Sequence, residues 1–192
     1  MSSLFTESDK KFLLDVARKT IISRSKKIGL SENEIEQLAP YLKEKKGCFV
    51  TLTIEKQLRG CIGYILPVVP LYKAVIENAY NAAYGDPRFT PLGENEFDKI
   101  KIEISVLSVP KKLQYSDKDD LLKKLKAGED GVIIKKGYYS STFLPQVWEQ
   151  LPDKKSFLMH LCMKAGLSPD EWKTGDLEVD IYKSEAFEEH QA

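Results

Sequence analysis

The spacing of apolar residues changes abruptly at Gly47, and that change constrains the fold more than any other feature. Cys48, Val50, Leu52 and Ile54 alternate with Phe49, Thr51 and Thr53, and after Glu55-Lys56-Gln57 a second extended run goes from Leu58 to Ile65. Period-two alternation is the signature of a strand with one buried face, so the segment reads as a β-hairpin. Its turn, taken as the three residues Glu55 to Gln57, lacks the Asn-Gly type of signal and would bring Cys61 near Leu52. The clearest single strand comes later. Ile100, Ile102, Ile104 and Val106 alternate with Lys101, Glu103 and Ser105, and Pro110 closes the run.

Around these strands the period is helical. Phe12, Leu13, Val16, Ala17, Thr20 and Ile21 form one stripe in a helix read from Thr6 to Gly29, with Thr6 or Ser8 as its cap. A short helix from Ser31 to Ala39 is expected to stop at Pro40. Pro70 opens another, which Gly85 ends before the stiff loop Asp86-Pro87-Arg88-Phe89-Thr90-Pro91. Further on, Ser116 caps a helix that Gly128 ends, and two strands, 131–136 and 138–143, join at Gly137. Pro145 to Gln150 reads as a helical turn, Lys154 to Gly166 as a helix and Leu177 to Tyr182 as the last strand, with a polar tail from Ser184 expected to fray. Hairpin pairing dominates over βαβ alternation. The fold class expected is therefore α+β, a largely antiparallel sheet flanked by helices.

Composition narrows the function classes. The 192 residues carry 29 basic and 29 acidic side chains, and a polyanion binder normally shows a basic excess, so nucleic acid is disfavoured as a partner. Lys43, Lys45 and Lys46, and later Lys123, Lys124 and Lys126, are clusters interrupted by acids and read as solvated faces. Three cysteines, with no CxxC pair and two histidines, make neither a disulfide framework nor a zinc site, and no metal or other cofactor is expected. No apolar run approaches membrane-spanning length and no signal-peptide pattern opens the chain, so the expected location is cytoplasmic with reduced thiols. P-loop, dinucleotide, nucleophile-elbow and zincin motifs are all missing.

The residues that can carry chemistry cluster in Leu58-Arg59-Gly60-Cys61-Ile62-Gly63. Residues two apart on a strand share a face, which puts Arg59, Cys61 and Gly63 together. A guanidinium beside a thiol favours thiolate, and the two glycines admit a ligand or another backbone. Cys61 is thus the candidate nucleophile, against the commoner reading of a small packed cysteine. The obvious base for it is His160, which points away from the apolar stripe Phe157, Leu158, Leu161, Cys162 and Ala165; His190 lies in the tail. Arg59 suits a small anionic ligand, or else an ion pair. Glu103 offers a general base, a partner for Arg59, or an ordinary solvated strand position. Asp86 and Arg88 form a charged pair held by proline, a binding element or a loop fastening. Tyr64, Tyr80, Tyr84, Tyr138 and Tyr139 can stack on bases or complete a core with the hydroxyl at its edge.

The hexapeptide stands in an ordered series. Phe49-Val50-Thr51-Leu52 precedes it. Pro70-Leu71-Tyr72, Asp86-Pro87-Arg88-Phe89, Glu103 to Ser108, Asp130-Gly131-Val132, Thr142 to Trp148, and the helix from Phe157 to Leu167 with Trp172 follow. This series closely resembles the domain family named after the AMME chromosomal region gene 1, across nearly the whole chain. The resemblance implies a single family domain over residues 1–192, built as a larger part and a smaller subdomain with a cleft between them, the hexapeptide near that cleft. It also implies company: a Memo-like protein and a radical S-adenosylmethionine protein. The family supplies no reaction. Three functions stay open: a cleft-bearing binding or accessory component, with Leu58, Arg59, Gly60, Ile62, Gly63, Asp86, Arg88 and Glu103 at the site; a cysteine-dependent enzyme using Cys61; and an RNA-associated module.

Overall fold

The computed structural model describes residues 5–26 and 30–189. In chain order the elements are α1 (Glu7–Ser23), α2 (Glu32–Gln37), α3 (Pro40–Lys43), β1 (Cys48–Ile54), β2 (Gln57–Tyr64), α4 (Leu71–Tyr84), β3 (Lys101–Leu107), β4 (Lys111–Lys112), α5 (Lys118–Lys124), β5 (Gly131–Lys136), β6 (Tyr139–Phe143), α6 (Lys154–Lys164), β7 (Glu178–Tyr182) and β8 (Ser184–Glu188). They make an α+β fold with two four-stranded sheets, ordered β2-β1-β3-β8 and β4-β7-β5-β6. The strand pairings β1–β2, β1–β3, β4–β7, β5–β6 and β5–β7 are antiparallel. The chain divides into two compact units: residues up to Leu107 together with those from Glu185, and Ser108–Ser184.

In the first unit the alternation does what period two demands. Cys48, Val50 and Leu52 of β1 and Ile102, Ile104 and Val106 of β3 are buried on one face. There they meet Leu13, Ala17 and Ile21 of α1 and Leu71, Val75, Ala79 and Ala82 of α4. Thr6 and Asp9 form a reciprocal capping box that starts α1. The helix ends at Arg24, whose φ of 52° makes it a left-handed cap; the expected stop at Gly29 lies outside the described residues. The second unit packs Val132, Ile134 and Val179 against Phe157 and Leu161 of α6. Trp148 stacks on Phe157 at 3.6 Å and its indole N–H donates to the Asp130 carbonyl at 2.7 Å.

Four local expectations are corrected. The β1–β2 turn has two residues, not three: Glu55 and Lys56 both take positive φ (50° and 66°), the primed geometry that matches strand twist. A register shift between Leu52 and Thr53 then leaves Arg59 as the additional residue of a bulge, so Cys61 pairs with Thr51 and Gly60 with Leu52. Pro40 does not merely stop a helix; it opens α3 as a first-turn proline. The cap of α5 is Asp117 rather than Ser116, its carboxylate accepting from two backbone N–H groups. Lastly, the polar tail does not fray at Ser184: it forms β8, with Phe187 in the core and Lys101 paired to Glu188 at 2.6 Å.

Candidate functional site

All six residues of the hexapeptide lie on β2, the outer strand of the first sheet. Gly60 faces the helices. A Cβ there would stand 2.1 Å from the Ala82 carbonyl oxygen of α4, so glycine is what lets helix and strand approach. Ile62 packs against the same core. Gly63 lies beneath the Phe49 ring, 2.4 Å from where its Cβ would be. Leu58 is exposed.

The edge of β2 is covered by side chains at Cys61. The Cys61 N–H donates to Asp86 Oδ2 at 2.9 Å, and its carbonyl accepts from Arg88 Nη2 at 3.0 Å. Arg88 also forks onto Asp86 through Nε (2.9 Å) and Nη2 (2.7 Å), and its own backbone N–H donates to Oδ1 at 3.1 Å. The Asp86 carboxylate is buried, and the Arg88 guanidinium together with the Cys61 and Arg88 N–H groups holds its pKa well below the usual carboxylate range. Asp86 and Arg88 therefore supply one acceptor and one donor where a neighbouring strand would.

Arg59 is fastened in the same way. Its Nε and Nη2 fork onto Glu96 at 2.7 and 3.0 Å, and Nη1 donates to the Thr90 carbonyl at 3.0 Å. Glu96 also accepts from the Gly93 N–H at 2.8 Å. Its partner is thus Glu96, and the Arg59–Glu103 pairing is not formed. Phe89 lies under both guanidiniums, its ring centre 5.9 Å from the Arg59 and 5.6 Å from the Arg88 carbon.

The opposite face of the sheet carries a polar row. Thr51 is the pairing partner of Cys61 on one side and Glu103 on the other, so the three side chains cross adjacent strands in register. Thr51 Oγ1 donates to Cys61 Sγ at 3.3 Å. Two strand steps separate Cys61 from Glu103, about 10 Å. Glu103 is half-buried, and burial, then the nearby Glu188 charge, raises its pKa. Ser105 lies on the same face at 3.5 Å from Glu103 Oε1.

The remaining candidates fall elsewhere. His160 is exposed on α6 with Nδ1 2.8 Å from the Ser156 carbonyl of its own helix. Within the first unit the described residues include no histidine, and His190 lies outside them. Cys48 is buried, its thiol pushed up to about 12 by desolvation, and Asn78 donates to its sulfur at 3.4 Å. Cys162 is buried in the second core. Among the described residues no cluster of His, Cys, Asp or Glu is placed to hold a metal ion, and no helix is long and apolar enough to cross a membrane. A groove of about 1090 Å³ runs along α1 and β8 and includes none of the predicted site residues. Arg18 and Glu189 fork across it.

The AMMECR1 family pattern matches residues 14–187. This chain belongs to the AMMECR1 family. It is 41% identical over 197 residues to Protein MK0488 of Methanopyrus kandleri, covering 100% of this chain and 93% of that protein. Protein MJ0810 of Methanocaldococcus jannaschii is 41% identical over 158 residues, 81% of this chain and 79% of the relative. The crystal structure of the uncharacterized protein PH0010 from Pyrococcus horikoshii matches with a TM-score of 0.79 at 39% identity, covering 93% of this chain and 90% of the other. The AMMECR1 match runs through both compact units. Sequence reasoning missed two members of this candidate site. Glu96 sits in a short 3-10 turn 37 positions from Arg59 and has no local signal. Thr51 was visible only as a polar position of β1, and becomes part of the row once the hairpin register is known.

Proposed function

We propose that this AMMECR1 protein is a binding or accessory component whose ligand face is the outer face of the first sheet. The observation that carries the reading is the row Cys61, Thr51 and Glu103: a thiol, a hydroxyl and a carboxyl set side by side on a rigid sheet, opposite the face that builds the core. Sites on regular elements hold their groups more firmly than sites on loops. Arg59 and Arg88 are both forked onto carboxylates of their own chain, so an anion would reach Arg59 only by displacing Glu96. A ligand with hydrogen-bond donors, or a partner segment carrying amide or amine groups, fits the row better than a small anion does. The family resemblance makes a Memo-like protein and a radical S-adenosylmethionine protein the partners to try.

The test uses the thiol as its own reporter. Purified protein is alkylated with iodoacetamide, alone and with a saturating amount of each candidate partner, and each cysteine is followed by peptide mass. The reading expects Cys61 to be protected by the partner, and protection to weaken in Glu103→Gln. Equal alkylation of Cys61 with and without both partners counts against it. The second reading, a cysteine-dependent enzyme, rests on the same thiol, which the Arg88 guanidinium approaches, but neither Arg88 nor the Thr51 hydroxyl that donates to its sulfur is a base.

A further inference from the structure

The two sheets have four edges, and three are visibly blunted. At β4 the strand is two residues long and both are lysine. At β2 the bulge at Arg59 and the Asp86–Arg88 pair cover the edge. At β8 the strand carries Glu185 and Glu188, each salt-bridged to a lysine. Short edges, bulges and charges are the usual means by which proteins prevent strand-to-strand pairing.

The fourth edge, β6, is different. From Tyr138 to Phe143 the sequence is Tyr-Tyr-Ser-Ser-Thr-Phe, with no charge, proline or glycine. Tyr138 is fully exposed, and Tyr139 and Met163 of the neighbouring helix are each 53% exposed. Pairing with β5 begins at Lys136–Tyr139 across a two-residue turn, in which Gly137 takes a φ of 57°. Alternation then directs the N–H and C=O of Ser140 and Thr142 away from β5. That direction agrees with the single cap observed: Lys164 Nζ donates to the Thr142 carbonyl at 2.9 Å. Ser140 has no hydrogen-bond partner for either outward group among the described residues.

We propose that β6 is a self-association edge, on which the β6 strand of a second copy of this chain lies antiparallel about a two-fold axis through Ser141. The occupant is a second copy because the strand is complementary to itself. In this register Ser140 of one chain faces Thr142 of the other, twice by symmetry, and the outward groups form two reciprocal pairs of backbone hydrogen bonds. Tyr139 then lies across from Phe143 of the second copy on the face that α6 covers, an aromatic cross-strand pair that buries an exposed ring. No like charges are set opposite one another within the strand. Lys164, an exposed side chain whose Nζ also lies 5.0 Å from the Phe143 ring centre, yields the Thr142 carbonyl to the incoming N–H of Ser140. The contact is small, so it forms and breaks with concentration. This inference is independent of the ligand face proposed above.

Sedimentation velocity of the full chain across micromolar concentrations tests it. Wild-type protein is expected to show a monomer–dimer equilibrium, with the Ser140 and Thr142 amides slowed in hydrogen exchange as dimer accumulates. Ser140→Pro removes the outward donor without touching the β5 ladder, since an edge strand accepts proline where the N–H faces out. It is expected to weaken the dimer at least about tenfold with an unchanged circular dichroism spectrum. If Ser140→Pro fails to fold, Tyr139→Lys replaces the buried aromatic pair with charges and is expected to weaken the dimer likewise. A wild-type monomer at every concentration overturns the proposal. So does a dimer in which the Ser140 and Thr142 amides exchange freely, or one that a folded variant leaves unweakened.

Discussion

Gly60→Ala isolates the packing role of the hexapeptide from any chemistry. The added Cβ would stand 2.1 Å from the Ala82 carbonyl oxygen and 3.0 Å from its carbon, against the 3.0 Å that real Cβ contacts essentially never undercut. The obstacle is helix backbone, so no side chain can swing aside. Strand and helix must separate by roughly 1 Å along a seam where Ala79 and Ala82 are buried. Overpacking of this kind costs typically 1–3 kcal/mol, and the absence of a flexible neighbour puts Gly60→Ala near the upper end, about 3 kcal/mol. Urea unfolding followed by circular dichroism measures it: the midpoint falls while the slope m is kept. The same substitution should leave the rate of Cys61 alkylation in the folded state nearly unchanged, because Cys61 faces the other way. A loss below about 0.5 kcal/mol, the size of an ordinary surface change, would refute the close-approach argument.

Four further outcomes follow from the geometry. Arg88→Ala should cost about 2 kcal/mol in urea unfolding, less than the 3–5 typical of a broken buried pair, because Arg88 is itself half-exposed and Asp86 keeps two backbone N–H partners. Because the folded state lowers the Asp86 pKa, that carboxylate stabilises fully above its ordinary value near 3.8 and its contribution is lost as pH falls further; Asp86→Asn should flatten the acid limb of a stability-versus-pH curve. Glu103 has the opposite sign. Its raised pKa means the folded state is penalised once the carboxyl ionises, so stability declines as pH rises above about 4.5, and Glu103→Gln should remove that decline and raise the melting temperature at neutral pH. In the β1–β2 turn, Lys56→Gly relieves a positive φ of 66° and should raise stability by up to about 1 kcal/mol, read from the unfolding midpoint.

How much of this was legible beforehand depended on how local the cause was. The strands β1, β2 and β3 were readable because burial of one face imposes period two on neighbouring residues. The start of α4 was readable because Pro70 fixes its own backbone. The turn at Glu55-Lys56 was not, since neither residue is a usual left-handed one and the geometry is imposed by the pairing of the strands on either side. The strand β8 was hidden because one residue, Phe187, supplies most of its burial while charged side chains fill the rest. At the site, Asp86 and Arg88 were legible as a pair two residues apart, but not as the cover of the Cys61 peptide. The Arg59–Glu96 fork depends on a turn that only the finished fold brings to β2.

The hexapeptide thus divides by face, and the division bears on function. Its inward glycine, Gly60, and Ile62 are explained by packing against α4 and the core. Arg59 is explained by Glu96, and the Cys61 backbone by Asp86 and Arg88. What packing leaves unexplained is the Cys61 side chain and the two groups beside it. An ordinary solvated strand face has no need of a half-buried carboxyl whose ionisation costs stability, because a Gln or Thr at position 103 would satisfy the same surface without that penalty. A carboxyl kept at a cost, next to a hydroxyl and a thiol in register, supports the proposed binding role of this face. The Glu103→Gln variant therefore reports on both links of the argument. A more stable protein that no longer lets a partner protect Cys61 would tie the penalty to binding, and a more stable protein with protection intact would reduce Glu103 to a surface residue.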